Sequence, residues 1–182
     1  MTVAVVPFAP PSQQPVSLDQ VLANRDRRVE RQRAALDRWR RPVLSLTLVF
    51  PGPHKDGAAP RALMAAALAA VDRLLAERWP VLQAEARFEP TGPEALRVVD
   101  ADPLDLKRAL VALEEAHPLG RLWDLDVICP ERGSIPRKTL GLTPRRCLLC
   151  SESAHACARS RAHPLPDLLA AIETRLEAYR RG

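Results

Sequence analysis

The segment Leu122-Trp123-Asp124-Leu125-Asp126-Val127-Ile128 alternates with a period of two. An extended strand places Trp123, Leu125 and Val127 on one face and Asp124 and Asp126 on the other. That pattern requires a sheet with one packed face. On such a strand the two aspartate Cα atoms stand roughly 6.5–7 Å apart, so their side chains can converge on one divalent cation. Carboxylate oxygens suit Mg2+, the usual partner of transferred phosphates. A pair of aspartates on a solvated strand needs no function. What favours a metal here is the setting, with Gly120 and Arg121 just before the strand and many basic residues after it.

The rest of the chain supplies partners for that strand. Ser17, three residues ahead of Gln20, forms a capping-box pattern and starts a helix to about Trp39, which Pro42 ends. This helix carries Arg25, Arg27, Arg28, Arg31 and Arg33, and Leu18, Val21, Leu22, Val29 and Leu36 mark an intermittent apolar stripe. Val43–Phe50 alternates as a strand, residues 51–57 read as a loop, and Arg61–Arg78 as a helix closed by Trp79-Pro80. Val81–Phe88 is a strand, Thr91-Gly92-Pro93 a turn and Ala95–Val99 another strand.

Asp102-Pro103 then gives an N-cap and an N1 proline to a helix that turns Leu106, Leu110 and Leu113 to the core. Pro118 and Gly120 stop it before the Asp-x-Asp strand, and a last strand or extended arm covers Ser134–Leu140. The order β-α-β-β-α-β predicts an α+β fold, a ferredoxin-like split sandwich with an N-terminal arginine-rich helix and a C-terminal cysteine-rich helical extension. The expected organisation is a disordered leader over 1–16 and a single domain over 17–182, with its core at about 43–140 and the cysteine-rich tail at 144–182.

Charge is unevenly distributed. The 182-residue chain has a formal net charge of +5. Between Arg132 and His163 alone, seven basic residues face one acid, Glu152. Such a patch favours an anionic partner, either nucleic acid, a polyphosphate ligand or an acidic protein. The first residues lack a basic n-region and are broken by Pro7, Pro10 and Pro11, unlike a signal peptide. The apolar run Ala62–Val71 is too short to span a bilayer. A cytoplasmic protein without a membrane role is expected, its four cysteines being thiols or metal ligands rather than disulfides.

Cys147 and Cys150 form a Cys-x2-Cys pair, with Cys157 and His163 downstream. Together they make a Cys3His set suited to structural Zn2+, a knuckle followed by a helix holding the last two ligands. His155 is an alternative fourth ligand, and free thiols or a redox pair are the plainer readings. Cys129 shares the face of Trp123 and Val127 and belongs to the core.

Several motifs carry a family resemblance: Arg25-Asp26 with Arg28 and Gln32; Pro51-Gly52-Pro53 with Lys55-Asp56; Gly92-Pro93-Glu94; His117-Pro118-Leu119-Gly120-Arg121-Leu122-Trp123-Asp124-Leu125-Asp126-Val127; Arg145-Arg146-Cys147-Leu148-Leu149-Cys150; Cys157-Ala158-Arg159; and His163. Across nearly everything after the leader, the chain resembles the citrate lyase holo-acyl-carrier-protein synthases, phosphoribosyl-dephospho-CoA transferases that mature the lyase. One departure is Ile135-Pro136-Arg137, where the family usually has serine before the arginine.

The resemblance implies a reaction in which a serine hydroxyl on the apo citrate lyase acyl-carrier subunit attacks the α-phosphate of triphosphoribosyl-dephospho-CoA, and pyrophosphate leaves. In phosphoryl-type transfer, catalysis is mainly positioning and charge neutralisation. With residue chemistry, the resemblance implies that Asp124 and Asp126 hold Mg2+ on the triphosphate and that one helps deprotonate the serine. Arg121, Lys55 and Arg137 are the expected phosphate clamps, with Arg25 and Arg28 secondary. Gly120 would let the backbone approach the ligand. His117 would bind phosphate, move a proton or cap its helix. The resemblance also favours His163 over His155 as fourth zinc ligand.

Two rival classes remain. A basic nucleic-acid-binding module with a zinc-bound tail fits the charge and the core, but aromatics are only 4% and none interleave on a strand for base stacking. A non-catalytic lyase assembly factor would grip the carrier through the arginine helix and survive loss of Asp124.

Overall fold

The alternation at Leu122–Ile128 is realised as a strand whose residues switch from buried to half-buried at every step. The computed structural model describes residues 4–5, 11–12 and 14–182. In chain order the elements are β1 (Ala4–Val5), α1 (Leu18–Trp39), β2 (Val43–Leu48), α2 (Ala58–Arg78), β3 (Val81–Glu89), β4 (Gly92–Val99), α3 (Pro103–Ala116), β5 (Trp123–Cys129), β6 (Gly133–Ser134), α4 (Ala154–Ser160) and α5 (Leu165–Arg181). Short 3-10 turns cover Gly120–Leu122 and Arg137–Leu140.

The strands form one sheet in the order β1-β3-β4-β2-β5-β6. Five of them pair antiparallel, and β1 lies parallel to β3 at one edge. This is a mixed α+β fold, an antiparallel sheet flanked by helices with a helical, cysteine-bearing C-terminal region. On one face, Leu44, Leu46, Trp123, Leu125 and Val127 pack against Leu63, Met64, Val71 and Leu75 of α2, Leu106 and Leu110 of α3, and Ile172 and Leu176 of α5. Truncating a side chain as deeply buried as Trp123 removes about 3–5 kcal/mol. On the other face, Ala35 of α1 covers Val43, Leu96 and Val98.

The expected start signals hold. Ser17 and Gln20 form a reciprocal capping box, and the Asp102 side chain accepts the N–H groups of Leu104 and Asp105. Other expectations are corrected. Helix α2 begins at Ala58 rather than Arg61, because a proline such as Pro60 is tolerated in the first turn, where no N–H is needed. Strand β4 begins at Gly92, which takes the φ of +107° that its tight turn requires. The expected arm at Ser134–Leu140 is only the two-residue β6 and a 3-10 turn, since Pro136 has no N–H to continue a ladder.

The apolar stripe of α1 meets the sheet at Leu36, which packs against Val43, Leu96 and Val98, but not along its earlier turns. Leu18, Leu22 and Val29 are exposed. The seated face is instead Asn24, Arg28, Arg31 and Ala35, spaced i, i+4, i+7, i+11. It meets a polar strip of the sheet, with Asn24, Arg28 and Arg31 on Glu94 and Gln32 on Ser45. Of the expected leader, residues 1–3, 6–10 and 13 lie outside the described residues. The described part contributes β1 and two tethers, Ser12 N–H to the Asp56 carboxylate (2.9 Å) and Val16 N–H to the Pro53 carbonyl (3.0 Å). Among the described residues, no helix is long and apolar enough to cross a membrane.

Candidate active site

Strand β5 pairs with β2 so that Asp124 stands opposite Thr47 and Asp126 opposite Ser45, on the face away from the main core. Beyond β5, β6 reaches only Ile128 and Cys129, leaving the backbone from Trp123 to Leu125 without a neighbouring strand on the side away from β2. Charged side chains take that edge. The Glu114 carboxylate accepts the Leu125 N–H (3.0 Å), the Lys107 ammonium donates to the Leu125 carbonyl (2.8 Å), and Arg145 donates to the Trp123 carbonyl (2.8 Å).

The same cations reach the aspartates. Lys107 Nζ lies 3.6 Å from Asp126 Oδ1, and Arg145 Nη1 lies 3.3 Å from Asp124 Oδ1. Burial lowers Arg28 of α1 from its ordinary value, and Asp124 and Asp126 act against that shift, so a third cation feels the pair from the opposite side. Burial, then the neighbouring Asp124, push the Asp126 carboxyl above its usual range despite Lys107 and Arg145.

Behind this edge Glu114 is a buried hub. Its carboxylate accepts from Arg137 (3.2 Å) and pairs with Arg145, while Arg137 also donates to Glu115 (2.9 Å). Burial raises the Glu114 carboxyl against the pull of Arg145 and the Leu125 N–H. Lys107 and Glu114 lie on α3 with buried Val111 between them, spaced i, i+4, i+7. Lys107 and Glu114 are only 3% and 6% exposed.

Asp124, Asp126, Lys107, Arg121, Arg137 and Arg145 are among the residues that line a cleft of about 1450 Å3. Arg121 donates to the Arg146 carbonyl (2.8 Å), and burial lowers its guanidinium. Of the residues expected at the site, Asp124, Asp126, Arg121 and Arg137 come together here, with Arg28 behind the pair. Lys107, Glu114 and Arg145 were not anticipated as site residues. The available signal was two charges at helical spacing within an otherwise buried stripe.

Four expected ligands stand elsewhere. The Lys55 ammonium donates to the Phe50 carbonyl (2.6 Å) and folds its own loop, so it is not directed into the cleft. Its neighbour Asp56 makes a buried bidentate pair with Arg61 (2.7 and 2.8 Å). Arg25 is exposed on α1, outside the cleft lining. Gly120 is buried, and a Cβ there would drive into the Glu114 carbonyl, so the close approach it permits is to α3 rather than to a ligand. His117 terminates α3. Its Nδ1 accepts the Leu119 N–H (3.1 Å) and its ring lies 4.3 Å from Trp123, a geometry that matches the expected capping role.

The cysteine tail forms another wall. Ligand atoms of Cys147, Cys150, Cys157 and His163 all lie within 4.8 Å of one another. His163 Nε2 is buried without a hydrogen-bond partner, as expected of a nitrogen directed at a metal. Burial tends to raise the Cys147 thiol, but the N–H groups of Leu149 and Cys150 bring it down to about 6. Burial raises Cys157. The set fits a tetrahedral soft-ligand metal site. His155 is outside this set and lines the cleft, and Cys129 is in the core. One expectation changes: α4 holds only Cys157, because it ends at Arg161 in the left-handed conformation and His163 follows in the linker before Pro164.

The family described as apo-citrate lyase phosphoribosyl-dephospho-CoA transferase matches residues 16–179. Relatives bearing that same description include one from Escherichia coli O6:K15:H31, 43% identical over 162 residues, and one from Shigella boydii serotype 18, 42% identical over 162 residues. Each match covers 88% of this chain and 88% of the relative. A strand bearing paired aspartates in a cationic cleft, and a matched region running through the cysteine tail, therefore have a common frame: the chain belongs to the apo-citrate lyase phosphoribosyl-dephospho-CoA transferase family.

Proposed function

We propose that this protein transfers the phosphoribosyl-dephospho-CoA group from its triphosphate donor to a serine of the apo citrate lyase acyl-carrier subunit, releasing pyrophosphate, in the cleft lined by Asp124 and Asp126. The observation that carries the reading is the convergence, in a chain of this family, of two aspartates on one strand face with Lys107, Arg121, Arg137 and Arg145 in one cleft. Two carboxylates within a cationic pocket are suited to Mg2+ and triphosphate together, whereas either charge alone would repel one of them.

Asp124 and Asp126 would hold Mg2+, which when bound neutralises charge on the phosphates. Arg145, Arg121 and Arg137 clamp phosphate oxygens, with Arg28 a further cation near the aspartates. One of the two aspartates accepts the serine proton as Oγ bonds to the α-phosphorus and the bond to the leaving pyrophosphate breaks. Arginines already held by Glu114 need little reorganisation when the donor arrives.

The strand order β3-β4-β2-β5, with antiparallel neighbours, supports reading the core as the ferredoxin-like split sandwich. Cys147, Cys150, Cys157 and His163 would hold a structural Zn2+, a reading the orphaned His163 Nε2 supports. Unpaired thiols also suit the reducing cytoplasm. Neither rival reading, nucleic-acid module nor bare assembly factor, accounts for the aspartate pair.

The test is intact-mass analysis of the apo carrier subunit incubated with this protein, Mg2+ and donor. A gain of one phosphoribosyl-dephospho-CoA unit is expected with wild type and not with Asp124→Ala or Asp126→Ala. No gain with wild type, given verified donor and carrier, overturns the activity. Undiminished gain with both variants overturns the site.

A further inference from the structure

The cleft has two chemistries, and the phosphate reading uses only one. Beside these charges its lining includes Leu48 and Phe50 at the end of β2, Leu142 and Leu148 in the basic segment, and Leu165 and Leu168 at the start of α5. These walls meet. Gly52 has a φ of +86°, and the Leu165 side chain lies 3.2 Å from the position a Cβ would take there. Leu142 and Leu165 remain 38% and 37% exposed although each lines this cavity. At about 1450 Å3 the cleft exceeds the roughly 300–1,000 Å3 of common ligand pockets.

We propose that this apolar lining binds the uncharged arm of the donor, the flexible run of methylenes and amides that dephospho-CoA carries beyond its diphosphate. The inference rests on the proposed placement of the triphosphate beside Asp124 and Asp126, and it assigns the other end of the same molecule. Continuity points to the occupant, because a ligand held by its phosphates in a single cleft brings its remaining length against the rest of the lining. The apolar part of the lining also suits the arm: among the described residues Phe50 is its one Phe, Tyr or Trp, and the rest of it is aliphatic. Branched aliphatic walls of this kind suit a flexible chain of methylenes.

The experiment is calorimetry on the full chain with Mg2+ and three ligands. Dephospho-CoA and ADP-ribose share an adenosine diphosphate diester of equal charge, but ADP-ribose carries a sugar in place of the arm. Pyrophosphate reports the charged groups. Wild type is expected to bind dephospho-CoA about tenfold or more tighter than ADP-ribose, as burial of two or three methylenes would give. Leu168→Glu is expected to erase that ratio while leaving pyrophosphate binding unchanged. Leu142→Glu, at an exposed position that should not perturb folding, is expected to reduce it. Equal affinity of the two nucleotides for wild type, or equal weakening of both in the leucine variants, overturns the assignment. Arg145→Ala should weaken pyrophosphate. If it does not, the phosphate placement falls, while the nucleotide ratio still decides the arm.

Discussion

Two buried glutamates in this fold do nearly the same thing in different settings. Glu94 on β4 holds Arg28 and Arg31 of α1, and Glu114 on α3 holds Arg137 and Arg145. The first cluster is closed between a helix and the sheet, with no more than about 10 Å3 of space beside it. The second borders a cleft of about 1450 Å3 and the paired aspartates. The ion-pair chemistry is the same, but only the second leaves its arginines somewhere to bind a ligand. The Glu94 cluster secures α1, and the Glu114 cluster preorganises a site.

That contrast can be broken. Glu114→Gln is expected to lower kcat/KM on the order of 10²–10³-fold, the usual scale for losing a preorganised charge contact. Adding Arg145→Ala to it should cost little more, because both changes disable one unit. Glu94→Gln should leave kcat/KM within a few-fold and instead remove about 2 kcal/mol of stability, a thermal midpoint lower by roughly 4–8 °C. Equal losses of activity from the two glutamate variants would show that the clusters do not differ as described.

A second perturbation sharpens the contrast from the tail. The Arg145 carbonyl accepts the Ala154 N–H (2.9 Å) and Arg146 bridges Ser153, so the segment bearing Arg145 is built into the cysteine knuckle. Chelation of bound Zn2+, or Cys150→Ser, should free residues 144–164 to proteolysis and weaken pyrophosphate binding, while α1 stays protected. Metal analysis at one zinc per chain, together with limited proteolysis, checks this. An unchanged digestion pattern after metal removal would show that the metal does not hold the segment bearing Arg145.

The smallest expected effect is a pH dependence on the Glu114 side. Burial lowers the His117 pKa from 6.5, and its Nδ1 must stay unprotonated to accept the Leu119 N–H. The unfolded chain therefore takes up the proton first. The stabilisation is complete above pH 6.5 and is lost as pH falls through the lower folded value. Between about pH 7.5 and about pH 5.5 the wild-type midpoint should drop more than that of His117→Asn, which keeps an acceptor but does not titrate. Parallel curves would contradict the assignment.

What was legible in the sequence follows from these forces. The alternation of β5, the capping box at Ser17 and the Asp102-Pro103 start are local rules, and they appear where expected. The clustering of Cys147, Cys150, Cys157 and His163 was legible because soft ligands are few and their spacing short. The seated face of α1 was not, since a contact made by Asn24, Arg28 and Arg31 leaves no apolar period to read. Lys107 and Glu114 were missed for a related reason. A charge on a helix normally marks the solvated side, and only the distant β5 edge makes burial favourable here. Gly120 looked like a ligand-approach glycine because sequence shows that a backbone must come close, not to what.

The unpaired edge of β5 has one more implication, for how this protein avoids sticking to itself. A bare strand edge is a template for another chain, and proteins commonly protect such edges with charge. Here that protection comes from Lys107, Glu114 and Arg145, the groups arranged around the proposed chemistry. Substituting them to disable catalysis would also unmask the N–H of Leu125 and the carbonyls of Trp123 and Leu125. Inactive variants at these positions should therefore be prone to dimerise or aggregate by strand addition. Selection for solubility alone would then preserve part of the site even in a descendant that no longer used it.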